Sequence, residues 1–396
     1  MKQRVAILGA GPIGLEAALE ACARGASVTV LEQGEVGAHP RAWGHVRCFT
    51  PWRMNVGPRG RQLVALPETK TEVCPTGAEL VEEYLAPLAR ALAGRALIHT
   101  NTRVLGVSRR GTNKGDLLGD PARAARPFRI VVAAAGVERA LEADVVLDCT
   151  GTYAHPNALG DGGIPAPGER ASHGRIRRHL DDVWAGARAV YVGKRVLLVG
   201  GGHSAMTSAC ALARLAQAEP ATRVVWVTRA TRVEGAQEDD PLAERAALVR
   251  RAAKLASEGA SGFVHRGGWV IDQLTPKHDG LRVGLRERAG EGHEPVEVDV
   301  VLANVGYGPD PTLYEELQIH ECYASKGPMA LAAALLGAAG GGGGDCLATP
   351  SFGASTLRNP EPGFFILGQK SYGRRADFLL ATGYAQVRQV FELLEG

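Results

Sequence analysis

Val5-Ala-Ile-Leu-Gly9-Ala-Gly11-Pro12-Ile13-Gly14-Leu-Glu-Ala-Ala18, running on to Val28-Thr-Val-Leu-Glu32, decides how this chain folds. Val5 to Leu8 is an apolar run too short for a helix and reads as a buried parallel strand. It breaks at a glycine turn and passes into a small-residue helix, Leu15 to Ala23. A second apolar run, Val28 to Leu31, then ends in an acid, Glu32. Strand, glycine turn, helix, strand and carboxylate stand at the spacing of a dinucleotide-binding unit. Gly9 permits the tight turn, and Gly11, with Pro12 and Ile13 behind it, lets backbone N–H groups approach a pyrophosphate. Gly14 lets the helix pack closely on the strand, so that its positive N-terminal end faces the phosphates. Glu32, followed by Gln33, can accept both hydroxyls of an adenosine ribose. The competing reading is a tight strand-to-helix turn with no ligand.

The pattern recurs. Gly193-Lys-Arg-Val196-Leu-Leu-Val-Gly200-Gly201-Gly202-His203-Ser204-Ala205 opens a small-residue helix to about Ala216, and the strand Arg223-Val-Val-Trp-Val-Thr228 follows. Ala205 replaces the third glycine and still permits close packing. This strand ends in Thr228-Arg229, with Arg232 three residues on, and not in an acid. A carboxylate there repels a 2′-phosphate, whereas a guanidinium clamps one, so the second unit reads as built for NADPH in preference to NADH. The alternative is that the arginines form a solvated charged face.

Each unit is followed by a buried strand with a glycine end: Ala143-Asp-Val-Val-Leu-Asp-Cys-Thr150-Gly151, and Val296 to Val305-Gly306. A third such strand, Gly363-Phe-Phe-Ile-Leu-Gly368-Gln369, leads through Tyr372 and Arg374 to a helix starting near Thr382-Gly383. Between these landmarks, 75–93 predicts an amphipathic helix with Thr76 as N-cap, 106–148 predicts hairpin strands, and 238–262 predicts a charged helix. The Pro- and Gly-rich stretch 154–172 reads as a linker, and Gly340 to Gly344 as a spacer.

A chain of 396 residues is too long for one core and predicts more than one domain. Its 45% hydrophobic and 22% charged residues are those of a globular protein, and a net charge of +3 is too small to argue for nucleic acid. No apolar run is long enough to span a membrane, and the first strand begins too early for a signal peptide, so a cytoplasmic location is expected. Seven cysteines, scattered singly with no CxxC, argue against a disulfide framework, a zinc site or a vicinal dithiol, and no metal is expected.

The loop Trp43-Gly-His-Val-Arg47 to Trp52-Arg53-Met-Asn55, directly behind the ribose strand, is placed to cover the far end of a bound dinucleotide. Trp43 and Trp52 fit either cofactor contact or core packing.

The ordered set of Gly9-Gly11-Gly14 with Glu32, Thr150-Gly151, Gly200-Gly202-Ala205 with Arg229, Val305-Gly306 and the Gly368 piece resembles the flavoproteins with two dinucleotide-binding domains. These include the class B monooxygenases and the thioredoxin-reductase-like reductases. The resemblance implies an α/β fold of two Rossmann-like domains, with FAD held by 1–158 and 305–396 and NADPH by an inserted domain, 159–304. It implies that Glu32 and Val104 meet the FAD adenosine, that Thr150, Gly151, Gly368 and Gln369 flank the cofactor, and that the helix at Gly383 points at the flavin pyrimidine edge. His203 and Ser204 join Gly200, Gly202, Arg229 and Arg232 on NADPH. The chain departs from these relatives in having Gln369 where an acid is usual, in lacking the monooxygenase fingerprint before the second unit, and in lacking the redox cysteine pair.

The resemblance further implies a hydride passing from NADPH to the flavin, followed either by oxygenation of a small molecule through a hydroperoxyflavin or by reduction of an external disulfide or quinone. The glycine form of the second unit and the crowded loop at 43–57 favour oxygenation. Asn55, Arg53 and Tyr372 are the candidates for catalytic roles. A small-molecule substrate is expected, with neither nucleic acid nor membrane as partner, and a homodimer is compatible with the sequence.

Overall fold

Burial on both faces explains why the quoted runs are continuous in apolar residues. In the computed structural model, which describes residues 2–237, 240–339 and 352–395, Arg4–Leu8 forms strand β1 and Ser27–Leu31 forms β2, with Val5, Ile7, Leu8, Val28, Val30 and Leu31 buried. They run parallel with Val5 opposite Val28 and Leu8 opposite Leu31, joined by helix α1, Pro12–Ala23. β3 (Ala96–His99) extends the sheet beyond β2. A three-stranded antiparallel sheet follows, β4 (Thr102–Arg109), β5 (Phe128–Ala134) and β6 (Val137–Ala143), and β7 (Val145–Asp148) returns to the parallel sheet beside β1.

The chain divides into two compact units, residues 1–155 with 308–396, and residues 156–307. The second unit carries β8 (Ile176–Arg177), β9 (Arg195–Val199), helix α2 (His203–Ala218), β10 (Arg223–Thr228), helix α3 (Ala243–Glu258) and β11 (Phe263–Gly267). The antiparallel strands β12 (Trp269–Lys277), β13 (Gly280–Glu287) and β14 (His293–Val298) come next, and β15 (Val300–Ala303) returns beside β9. Back in the first unit, helix α4 (Met329–Ala339) precedes β16 (Phe364–Ile366), which pairs with β7, and helix α5 (Leu380–Glu395) closes the chain. The parallel sheets read β16-β7-β1-β2-β3 and β11-β10-β9-β15-β8. Both are Rossmann-like, so the α/β class with two such domains stands.

The same device turns the chain from antiparallel to parallel sheet in each unit. Asp144, between β6 and β7, accepts from the Arg4 backbone N–H at 2.8 Å and from its Nη2 at 2.6 Å. Asp299, between β14 and β15, accepts from the Arg195 backbone N–H and Nη2, both at 2.7 Å. The run Val296 to Val305 is therefore two strands in different sheets, bent at Asp299.

Other expectations are refined. The helix predicted over 75–93 spans Gly77 to Ala91, begins on a Thr76–Glu79 capping box, and contains a π-helical stretch, Leu80–Leu85. The last helix starts at Leu380, so Gly383 lies within its first turn. The stretch 154–172 is not a slack linker. Its Glu169 is buried and accepts from the N–H groups of Leu159 and Ala166, while the Leu274 N–H on β12 donates to the Pro167 carbonyl. The tip of the β4–β5 hairpin is held by Glu361, fully buried between Arg109 and Arg123. The spacer at Gly340 to Gly344 lies outside the described residues. Among the described residues, no helix is long and apolar enough to cross a membrane.

Candidate functional site

In the first unit, the glycine turn is fixed by steric necessity. Gly9 has φ +100°, and a methyl carbon added there would lie 2.7 Å from the Cys149 carbonyl oxygen. At Gly14 the added carbon would lie 2.0 Å from the Gly9 carbonyl oxygen. Gly11 is different. It is the N-cap of α1, with Pro12 first in the helix, and an added carbon there meets nothing within 4 Å. The helix end is thus bare on one side, as an approaching diphosphate requires.

Glu32 is buried, and each carboxylate oxygen accepts one backbone N–H: Oε2 from Ala10 and Oε1 from Gly34, both at 2.8 Å. The plane of the carboxylate is fixed, with lone pairs remaining for a diol. A cavity beside it is lined by Gly9, Glu32, Gln33, Val104, Thr150 and Gly151, so six residues singled out from sequence converge. His39, Thr102, Arg103, His155, Asp310 and Thr312 join them and carried no sequence signal. Burial lowers the His39 pKa. Against the burial that would raise it, Asp310 is held below its ordinary value by the Thr312 hydroxyl and N–H and by His155, whose Nε2 stands 3.0 Å away. An open helix end, a fixed acid and an adjoining polar cavity fit the adenosine and diphosphate of FAD.

Ile13 joins the terminal piece to this turn. Carbons added at Gly368 and Gly383 would lie 3.3 Å and 2.4 Å from its side chain, so these two glycines pack directly on it. Gln369 turns its amide to the Arg375 carbonyl at 2.7 Å. Beneath Thr150 lies a wholly buried ion pair that the sequence reading passed over. Lys370 Nζ is 2.6 Å from Asp148 Oδ2 and 3.2 Å from Thr150 Oγ1, and Thr150 donates to Asp148 at 2.7 Å. The only local signal was an acid closing an apolar strand.

Trp43, Arg53, Asn55 and Tyr372 are not among the residues that line this cavity. Trp43 is half-buried against the apolar core. Arg53 is exposed and paired with Glu72 at 2.8 Å. Asn55 is buried, its amide donating to the Thr50 and Pro51 carbonyls at 2.7 and 3.0 Å while its oxygen accepts from Thr50. Tyr372 is buried edge-on to Phe378, ring centroids 5.3 Å apart, and burial raises its pKa.

The second unit repeats the steric code with one substitution. A carbon added at Gly200 would lie 2.2 Å from the Asn304 carbonyl oxygen, and one at Gly202, the N-cap of α2, meets nothing. His203 and Ser204 open the helix. The Gly200 carbonyl is held by the Trp226 indole N–H at 2.8 Å, and Ala205 is tolerated where the first turn has no room for a methyl. Arg229 and Arg232 are exposed just beyond β10, and neither has an ion-pair partner among the described residues. An open helix end with two nearby guanidiniums fits a nicotinamide dinucleotide.

No curated protein sequence matches the chain. Among solved structures, the bacillithiol disulfide reductase of Bacillus cereus is 16% identical with a TM-score of 0.71, covering 100% of this chain and 99% of that one. The ornithine N-hydroxylase of Kutzneria sp. 744 is 14% identical at a TM-score of 0.65, covering 100% and 99%. The thioredoxin reductase of T. acidophilum is 15% identical at 0.61, covering 100% of both chains. At these identities the likeness establishes the fold. The family model for pyridine nucleotide-disulphide oxidoreductases matches residues 120–323, just over half of the chain. The chain therefore belongs to the pyridine nucleotide-disulphide oxidoreductase family, as an oxidoreductase whose cofactors are FAD and NAD(P)H.

Proposed function

We propose that residues 1–155 and 308–396 hold FAD, that residues 156–307 hold NADPH, and that the enzyme is a monooxygenase of a small molecule, with electrons leaving the flavin without passing through a protein dithiol. The scatter of the seven cysteines, with no CxxC among them, carries the last part of this reading. Cys149, whose carbonyl abuts Gly9, is partly buried, and desolvation beside the Asp148 carboxylate pushes its thiol well above the ordinary value. Burial likewise pushes Cys48, in the loop behind the ribose strand, up to about 12. Such thiols are not thiolates at neutral pH and do not relay electrons by exchange.

The bound cofactors supply hydride donation and acceptance; the chain binds, orients and excludes. Glu32 fixes the adenosine end, and the open end of α1 meets the diphosphate. The first turn of α5, seated on Ile13 through Gly383, aims a positive helix end at the cofactor site. In this assignment Asn55 and Tyr372 are positioning residues. The former knits the loop from Thr50 to Val56, and the latter anchors the turn after β16 against Phe378. Arg53 stays at the surface, paired with Glu72.

The test is NADPH consumption by the FAD-loaded protein in air with panels of small amines, thioethers and ketones, using isotopically heavy dioxygen. Heavy oxygen in the organic product supports monooxygenation. Consumption that requires no dioxygen but does require an added disulfide or quinone overturns it. That second reading has its own support. The family is described by disulphide reduction.

A further inference from the structure

The turn that carries Arg229 and Arg232 is pinned from the neighbouring strand, and we propose that His265 is a positioning residue that makes this turn specific for the 2′-phosphate of NADPH. The inference rests on the nucleotide reading given above for the second unit. His265 lies on β11 in register with Trp226 of β10, and its ring packs against the indole at 4.9 Å between centroids. Two residues on, the Thr228 hydroxyl donates to the Ala230 carbonyl at 2.8 Å and so closes the turn. His265 Nε2 stands 2.9 Å from the same hydroxyl oxygen. With the hydroxyl hydrogen committed to Ala230, that contact is a bond only if Nε2 donates, which fixes the Nε2–H tautomer.

The backbone adds to the clamp. The Gly268 N–H donates to the carbonyls of both Thr228 and Ala230 at 2.9 Å. A carbon added at Gly267 would lie 2.0 Å from the Thr231 carbonyl oxygen, so the turn rests directly on the glycine pair that ends β11. Residues 228 to 231 are thus held at three points.

The two arginines stand in contrast to this order. Arg177, Arg178, Arg195 and Arg286 of the same unit are each paired with a carboxylate. Arg229 and Arg232 are exposed and unpaired among the described residues. A rigid backbone presenting two exposed guanidiniums beyond the second strand of a dinucleotide unit is pre-organised for a dianionic phosphate. A slack turn would lose part of that binding in being ordered.

The experiment compares NADP+ and NAD+ affinities of the FAD-loaded protein by calorimetric titration, for wild type, H265L, H265Q, T228V and the R229A/R232A double variant. His265→Leu removes the donor, and NADP+ binding is expected to weaken about tenfold while NAD+ binding changes less than about twofold. His265→Gln keeps an amide donor and is expected to retain most of the preference. Thr228→Val, which removes the hydroxyl with little change of shape, is expected to repeat the Leu result and serves if His265→Leu fails to fold. An unchanged preference in H265L or T228V overturns the positioning role, and so does an equal loss for both nucleotides. A wild type that shows no preference for NADP+, or a double variant that keeps one, overturns instead the NADPH reading on which the inference rests.

Discussion

Glycine at 14 and alanine at 205 occupy equivalent places, and the difference between them is a matter of one carbonyl. Gly9 turns its oxygen to within 2.0 Å of where a Gly14 methyl would sit, whereas the Gly200 oxygen is drawn to the Trp226 indole. Gly14→Ala is therefore expected to destabilise the first unit by roughly 1–3 kcal/mol and to impair flavin retention, read by thermal denaturation and bound-flavin absorbance. Ala205→Gly is expected to cost only about 0.5–1 kcal/mol, the helix-interior penalty of glycine. Glu32→Ala is expected to weaken FAD binding by about tenfold or more in a fluorescence titration, since it removes the ribose acceptor and frees the N–H groups of Ala10 and Gly34. These positions were legible because their constraints are local, set by a turn and its two flanking strands. Lys370 and Asp148 were not. Their pairing spans 222 residues of sequence and follows from the parallel pairing of β16 with β7, which no local pattern announces.

At the scale of elements, the sequence showed the strands but not where two of them divide. The runs ending at Gly151 and Gly306 read as single strands, yet in each the chain changes sheets at an aspartate whose partner, Arg4 or Arg195, begins the central strand. Apolar periodicity continues through the bend, so only the distant arginine reveals it. The Arg195 side-chain hydrogen bond holds Asp299 below its ordinary carboxylate value, and Arg4 does the same for Asp144. A carboxylate with a depressed folded pKa adds stability that is complete above its unfolded value, about 3.9, and is lost as pH falls through the folded one. Asp299→Asn is thus expected to lower the melting temperature at pH 7 by an amount equivalent to roughly 1 kcal/mol. The gap from wild type should narrow as pH drops below about 4. A gap that stays constant to pH 2 would deny the ion pair its role.

The whole molecule is a repeated plan: a parallel sheet, a glycine turn under a helix, a three-stranded antiparallel sheet, and a strand that returns beside the first. The repeat was visible in the paired glycine motifs. The first antiparallel sheet was visible as the hairpin strands of 106–148, whereas the packing of 154–172 onto β12 was hidden because Glu169 acts through backbone N–H groups that composition does not display. The central claim at this scale is that the molecule carries electrons from NADPH to FAD and onward with no protein dithiol between. The most direct measurement is an anaerobic titration of the FAD-loaded protein with NADPH, followed by flavin absorbance. Without a dithiol, one equivalent of NADPH is expected to bleach the flavin fully and no second equivalent to be consumed. Uptake of two equivalents per flavin would show a second two-electron centre in the chain, and failure of NADPH to bleach the flavin at all would contradict the assignment of the two units.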